Sequence, residues 1–459
     1  MDILVFKGTL VHYRKFHMAK DKETKSEYID KNLMIGSRMT VEEKVIGVQN
    51  GKIIFLESPE MEEELRASFH FNKDEMQVLD EREFFCPGFI DTHVHASQYC
   101  NCGLALDLPL LDWLRKYTIP TEAKYKDLEF AKDVYSACLD RSLRNGTTTA
   151  QYFCTIHRES SNVLVDLAID KGQRVFVGKV ATDQNSADYY IEETKTSIEE
   201  TEKFVQDILS KQVNPLVNPV VTPRFAPSCS MELLTNLGRI AKTYDVSIQT
   251  HCSETLPECQ WVKELFPGFE DYIDVYDKAG LLTAKTTLAH GIYLSEREMS
   301  RITETQTKVS HCPNSNCSLM SGLCDVRKLE SLGVVVGLGT DVSGGYSISM
   351  LDAMRCSITV SNIIASAKDG GYVPFNYQDA LRLATISGAE VLGISDKVGN
   401  FEVGKDFDAL RVNLSPKAGN IDIFGYETME ELVQKFIFLG DDRNIREVYV
   451  AGRRVIKKF

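Results

Sequence analysis

The sequence predicts an α/β fold: a (β/α)8 TIM-like barrel with a small β-sandwich domain built from both chain ends. Three observations predict it. From about residue 86 to 390, short apolar strands alternate with amphipathic helices, the pattern of a parallel sheet covered by helices. Eight such strands can be counted, the number that closes a barrel of this kind. Residues 1–85 and 391–459 have a different texture, short apolar strands separated by polar turns. They are read as one composite small β domain flanking the barrel at 86–390.

In chain order, the first strands are Ile3–Val11, Val45–Val48 and Ile53–Leu56. The last two are joined through Gln49-Asn50-Gly51-Lys52, where Asn-Gly supplies the two positive-φ positions of a tight hairpin. Residues 18 to 44 are polar and charged and read as a surface excursion. The barrel strands follow as Gly88–Asp91, Thr147–Phe153, Arg174–Val180, Val217–Val221, Val246–Thr250, Thr286–Ala289, Lys308–Ser310 and Val334–Leu338. The clearest helix places Leu128, Ala131, Val134, Tyr135, Cys138, Leu139 and Leu143 at three-to-four spacing, and Asn145-Gly146 closes it. Strand texture returns at Phe407–Val412 and Val448–Ile456.

With 43% hydrophobic and 26% charged residues, the chain has material for a large core. A net charge of −14 opposes a nucleic-acid backbone or an anionic membrane as partner and leaves a small-molecule substrate. The start lacks a basic stretch followed by a long apolar run, so no export or membrane segment is expected. The 12 cysteines are scattered without a Cys-x-x-Cys pair, as expected of reduced cytoplasmic thiols.

Reactive residues of such a barrel sit at the C-terminal ends of its strands. The first strand runs straight into His93 and His95, which, one residue apart, point to the same face. His251 follows the fifth strand, His290 the sixth and Asp341 the eighth. Four imidazoles and one carboxylate on one rim suit Zn²⁺, or iron at a mixed nitrogen and oxygen site. Each also has a plainer reading, His290 as a buried histidine bonded to a carbonyl and Asp341 as a helix N-cap. Their shared position at strand ends favours the metal. Glu254, three residues after His251, can reach a metal-activated water without competing for the ion and suits a proton shuttle. The reaction class is hydrolysis by metal-activated water.

The chain resembles the amidohydrolase superfamily. The resemblance is carried by Pro87-Gly88-Phe89-Ile90-Asp91-Thr92-His93-Val94-His95, by the His251 and Glu254 pair, by His290, and by Gly337-Leu338-Gly339-Thr340-Asp341. Within the superfamily it is similar to the branch that deaminates guanine, through His95-Ala96-Ser97-Gln98, Asp107–Leu114, Thr222-Pro223-Arg224-Phe225 and Ser310–Asn316. Asn400–Lys405 and Leu439–Ile445 extend the likeness nearly to the end of the chain.

This resemblance implies zinc-dependent conversion of guanine to xanthine and ammonia in a cytoplasmic homodimer with one Zn²⁺ per chain. It implies that His93, His95, His251 and Asp341 hold the metal, and that Glu254, Asp341 and His290 serve the catalytic steps. Gln98, Arg224, Phe225 and Trp113 would surround the purine together with His251 and His290. Chemistry supports Arg224 separately: guanine shows two acceptors, O6 and N7, on one edge, and an arginine fork donates to both, whereas adenine offers a donor in place of O6. Gln98 has donor and acceptor atoms for a neighbouring edge.

Three alternatives stay open. One is a superfamily deaminase acting on adenine, cytosine or a thio-nucleoside. A ring-opening amidase is another, though two-metal amidases resemble one another in a bridging lysine at the fourth strand, which Leu216–Thr222 lacks. The third is a metal-free barrel serving as a scaffold, whose signature would be lost ligands. The other zinc-deaminase design, His-x-Glu followed by Pro-Cys-x-x-Cys, is absent from the sequence.

Overall fold

A computed structural model describes residues 3–15, 37–211, 215–368, 370–415 and 419–458. The chain divides into two compact units, Met1–Gly88 with Asp396–Phe459, and Phe89–Ser395.

The first unit is one mixed sheet. Its strands are β1 (Leu4–Lys15), β2 (Ser37–Gln49), β3 (Lys52–Glu57), β4 (Met76–Val78) and β5 (Glu83–Pro87). The second chain end adds β15 (Ala409–Asn413), β16 (Ile445–Val450) and β17 (Arg453–Lys457), numbered after the nine strands of the other unit. The order is β17-β16-β15-β5-β1-β2-β3, with β4 paired to β1. Phe6 on β1 and Tyr449 on β16 have ring centroids 5.7 Å apart, although β5 and β15 stand between them. Three strand spacings would separate them by about 14 Å in a flat sheet. The sheet therefore curls until its inner faces meet, and the expected sandwich is realised by one continuous sheet.

Asn50 (φ 53) and Gly51 (φ 82) make the predicted hairpin turn between β2 and β3. Residues 37–44, expected in a surface excursion, instead pair with β1 as part of β2. Their charges are met locally, since Glu42 receives Arg14 at 2.5 Å and His12 at 3.2 Å. Residues 18–36 of that stretch lie outside the described residues. Val448–Ile456 is a hairpin, with positive φ at Ala451 and Gly452 turning β16 into β17.

The second unit holds β6 (Phe89–His95), β7 (Thr147–Phe153), β8 (Arg174–Gly178), β9 (Val180–Ala181), β10 (Val217–Pro223), β11 (Ser247–Cys252), β12 (Thr286–His290), β13 (Lys308–His311) and β14 (Val336–Leu338). Eight of them form a parallel sheet in the order β14-β13-β12-β11-β10-β8-β7-β6, with β9 paired to β10. The two end strands are bridged where Thr92 Oγ1 donates to the Leu338 carbonyl at 3.0 Å and Asp341 N–H to the His93 carbonyl at 2.9 Å. The barrel is thus nearly closed. Both strand faces are covered, which is why β7 and β12 are buried along their whole length.

Some polar residues inside the barrel link its strands. Gln249 donates to the Tyr152 carbonyl at 3.0 Å and to Thr222 Oγ1 at 2.9 Å, tying three strands together. Gly178 makes room for this, because a Cβ there would fall 1.8 Å from Thr222 Oγ1. The predicted helix runs from Leu128 to Arg144, starts at Asp127, whose side chain accepts from Glu129 N–H and Phe130 N–H, and stops before Gly146 (φ 85). Its buried face is Ala131, Tyr135, Cys138, Leu139 and Leu143 as expected, joined by Ser142. Leu128 at the first turn is exposed instead, and Val134 is only partly buried. No helix among the described residues is long and apolar enough to cross a membrane.

Candidate active site and metal centre

His93 and His95 lie in the last three residues of β6, His251 is the penultimate residue of β11, His290 ends β12, and Asp341 follows β14 by three residues. All five gather at one end of the barrel. His93 Nε2 is 3.0 Å and His95 Nε2 3.4 Å from Asp341 Oδ1, while His290 Nε2 is 3.8 Å from Asp341 Oδ2. One donor atom each from His93, His251, His290 and Asp341 lies within 4.8 Å of all the others. His95 joins them through a 3.1 Å approach of its Nε2 to His251 Nε2. His290, expected beside the metal rather than on it, thus stands as near the centre as the expected ligands.

Hydrogen bonds set the tautomers. His251 Nδ1 is 2.6 Å from the Arg224 carbonyl oxygen, which can only accept, so Nδ1 carries the proton and Nε2 offers a lone pair. His290 Nδ1 is 2.8 Å from Asn316 Oδ1 and is fixed in the same sense. Burial pushes His95 and His251 far below the usual imidazole range, which keeps both neutral. Burial also lowers His93. Asp341 is opposed by burial, but His93, His290 and His95 together hold its carboxyl well below the usual carboxylate range.

A cation fits this donor set. His95 Nε2 and His251 Nε2 converge to 3.1 Å, and His93 Nε2 and His290 Nε2, both facing Asp341, are buried with no hydrogen-bond partner among the described residues. An ion at the centre satisfies what the protein leaves open, and neutral imidazoles with an ionised carboxylate are what a divalent transition metal takes.

His290 (φ 74) and Asp341 (φ 48) adopt left-handed backbone conformations. Such strain in non-glycine residues concentrates at functional sites and must be held by its surroundings. Here the 2.9 Å bond from Asp341 N–H to the His93 carbonyl helps to hold it. Behind it, buried Asp91 accepts from Thr340 N–H at 3.0 Å, Thr340 Oγ1 at 2.5 Å and His93 N–H at 3.2 Å. Asp91 therefore clamps the ligand-bearing ends of β6 and the segment after β14. Burial pushes its carboxyl up to about 7.

Beside the metal donors is a narrow recess. His95, Gln98, Trp113, Arg224, Phe225, His251, Glu254, His290 and Asp341 line it, so the structure brings every predicted site residue except His93 to its wall. His93 lies behind, among the metal donors. Glu254 Oε2 is 3.4 Å from His290 Nε2, and its Oε1 accepts from Ser321 at 3.1 Å. Burial pushes the Glu254 carboxyl up to about 7, the range in which a proton shuttle works at neutral pH. Trp113 is buried with Leu110 and Leu319, and its Nε1 donates to the Leu104 carbonyl at 3.1 Å.

Arg224 is not the salt-bridged rim residue that a charged side chain after a strand usually is. Its ion pair lies inside, with Glu122 Oε2 at 2.7 Å, and Glu122 also receives Gln98 and Tyr190. Sequence reasoning missed Glu122 and Tyr190. In Ile119-Pro120-Thr121-Glu122-Ala123-Lys124 the glutamate reads as an ordinary surface-helix residue, and no local signal marks it. Asn316 was within reach, since it closes the string Ser310–Asn316 that carries part of the resemblance.

The model of the amidohydrolase family matches residues 84–455, more than three quarters of the chain. The chain belongs to the amidohydrolase family. Within it, the chain is 48% identical over 418 residues to the guanine deaminase of Rattus norvegicus, covering 90% of this chain and 92% of that one. It is likewise 48% identical over 421 residues to the guanine deaminase of Homo sapiens, with the same coverage. Among solved structures, guanine deaminase from C. acetobutylicum with bound guanine in the active site superposes with a TM-score of 0.86 at 34% identity, covering 99% of this chain and 100% of that one. As a family member the chain has a barrel whose strand ends carry His and Asp side chains placed so that they could hold a metal.

Proposed function

We propose that this protein hydrolytically deaminates guanine to xanthine and ammonia, in the cytoplasm and as a homodimer, with one Zn²⁺ per chain held by His93, His95, His251 and Asp341. One observation carries the reading: a buried guanidinium, Arg224, and a buried carboxyl raised to about 7, Glu254, line the same recess as the metal donors. The relatives and the guanine-bound neighbour structure support it.

Zn²⁺, when bound, supplies Lewis acidity that lowers the pKa of water to about 7 and makes hydroxide available at neutral pH. The protein does the rest. Arg224 donates to O6 and N7 of guanine, Gln98 reads a neighbouring edge, and Phe225 and Trp113 form apolar walls. His251 and His290 border the ring. As water adds to C2, Asp341 takes one of its protons, Glu254 delivers a proton to N3, and His290 stabilises the tetrahedral carbon's oxygen. Glu254 or Asp341 then passes a proton to the exocyclic amino group, which leaves as ammonia. Adenine is rejected because its 6-amino group would direct a donor at the Arg224 fork.

The test is ammonia release from a panel of purines and pyrimidines, with metal content measured on the same preparation. Guanine should react, adenine and cytosine should not, and zinc should approach one equivalent per chain. No ammonia from guanine, or less than about half an equivalent of metal after zinc loading, overturns the reading.

A further inference from the structure

Glu122 ends the short helix Ile119–Glu122 and is fully buried. Its two oxygens divide between the two groups assigned to the purine. Oε1 accepts from Gln98 Nε2 at 2.9 Å, and Oε2 accepts from Arg224 at 2.7 Å and from the Tyr190 hydroxyl at 2.6 Å. A carboxylate only accepts, so the amide atom facing it must be the nitrogen. On the other side Ser343 N–H donates to Gln98 Oε1 at 3.3 Å, which requires the oxygen there. These two neighbours together forbid the amide from flipping.

Arg224 is held in the same way. Among the described residues its only side-chain hydrogen bond goes to Glu122, through one terminal nitrogen, and the guanidinium lines the recess. Tyr190 is fully used, donating to Glu122 and accepting from Ile156 N–H at 3.3 Å, so it braces the carboxylate without reaching for a ligand.

We propose that Glu122 is a positioning residue for base recognition: by holding the Gln98 amide in one orientation and Arg224 in one rotamer, it decides which donors meet the 6-oxo purine edge. This rests on the guanine reading given above. Glu122 is absent from the wall of the recess, so it acts through its partners. A neutral glutamine in its place must turn an NH₂ toward either Gln98 or Arg224, and donor then faces donor.

The experiment compares wild type with Glu122→Gln on guanine turnover and on competitive inhibition by 2-aminopurine, which keeps the 2-amino group and lacks the 6-oxygen. For E122Q the expected result is a KM for guanine raised about tenfold or more, with kcat, zinc content and the 2-aminopurine inhibition constant each within about threefold of wild type, as when binding common to ground and transition states is lost. Should E122Q not fold, Glu122→Asp keeps the charge on a shorter stem and should shift the same KM in the same direction by a smaller factor. Unchanged guanine kinetics, or equal losses for both ligands accompanied by loss of zinc, overturn the positioning role. A wild-type protein that releases no ammonia from guanine overturns the functional reading itself, and the two failures are distinguished by that control.

Discussion

In the proposed reaction Glu254 and Arg224 divide the work at the scale of single residues. If Glu254 moves protons and does not bind the ion, Glu254→Ala keeps its zinc while kcat falls by about two powers of ten or more. Metal analysis beside steady-state kinetics checks this, and loss of zinc would make Glu254 a structural neighbour of the donors. Arg224→Gln should raise the KM for guanine far more than it lowers the melting temperature, because a neutral fork no longer matches O6 and N7. Guanine kinetics unaltered by that change would take Arg224 out of the binding site. Burial separates these side chains from their solvent-exposed counterparts: the same carboxyl in water would titrate near 4.5 and be a poor acid at neutral pH, whereas here it is raised to about 7.

Among the elements, the pairing of β6 with the segment after β14 matters most, because three of the five proposed metal donors sit there. Asp91 clamps that junction through Thr340 and His93. Asp91→Ala should weaken zinc affinity by about 10- to 100-fold, as loss of a ligand-orienting partner does, and competition with a chromophoric chelator measures it. The element level was also where the sequence could be read best. Apolar runs bounded by turn residues located each barrel strand, and the positions just after them located His251, His290 and Asp341. Interactions that depend on a distant part of the chain were hidden: the pairing of Glu122 with Arg224 spans 102 residues of sequence. The 37–44 strand was hidden for a related reason, since its charges look like solvated loop until β1 supplies both backbone and ionic partners.

For the whole molecule, each unit carries its own test. In the first, buried Glu83 accepts from Arg411, Arg446 and Asn413, joining the two chain ends into one sheet. Glu83→Gln should cost about 1–3 kcal/mol, since it takes the charge from a buried acceptor of Arg411 and Arg446, although Arg411 keeps Glu447 at 3.5 Å. Burial opposes the ionised form of Glu83, but Arg411 and its other donors win and hold the carboxyl below the usual glutamate range. The folded-state value being depressed, this stabilisation is complete above the unfolded value near 4.5 and disappears as pH falls through the folded value. Urea melts of wild type and E83Q should therefore differ most near neutrality and converge in acid. In the barrel, stripping zinc with a chelator should lower the melting temperature. At free zinc a thousandfold above its dissociation constant the ion contributes about 4 kcal/mol, and re-addition should restore both stability and turnover.

The left-handed backbone at His290 and Asp341 also limits how this barrel can diversify. Outside glycine, that conformation is entered most readily by asparagine, aspartate and histidine, and two of those three are good ligands for a transition metal. Drift at these two positions is therefore channelled toward residues that keep or merely soften the coordination, while β-branched or bulky replacements are refused by the main chain before their chemistry is ever tried. A laboratory lineage selected for new substrates should accordingly accumulate changes around Gln98, Trp113 and Phe225 and leave 290 and 341 untouched.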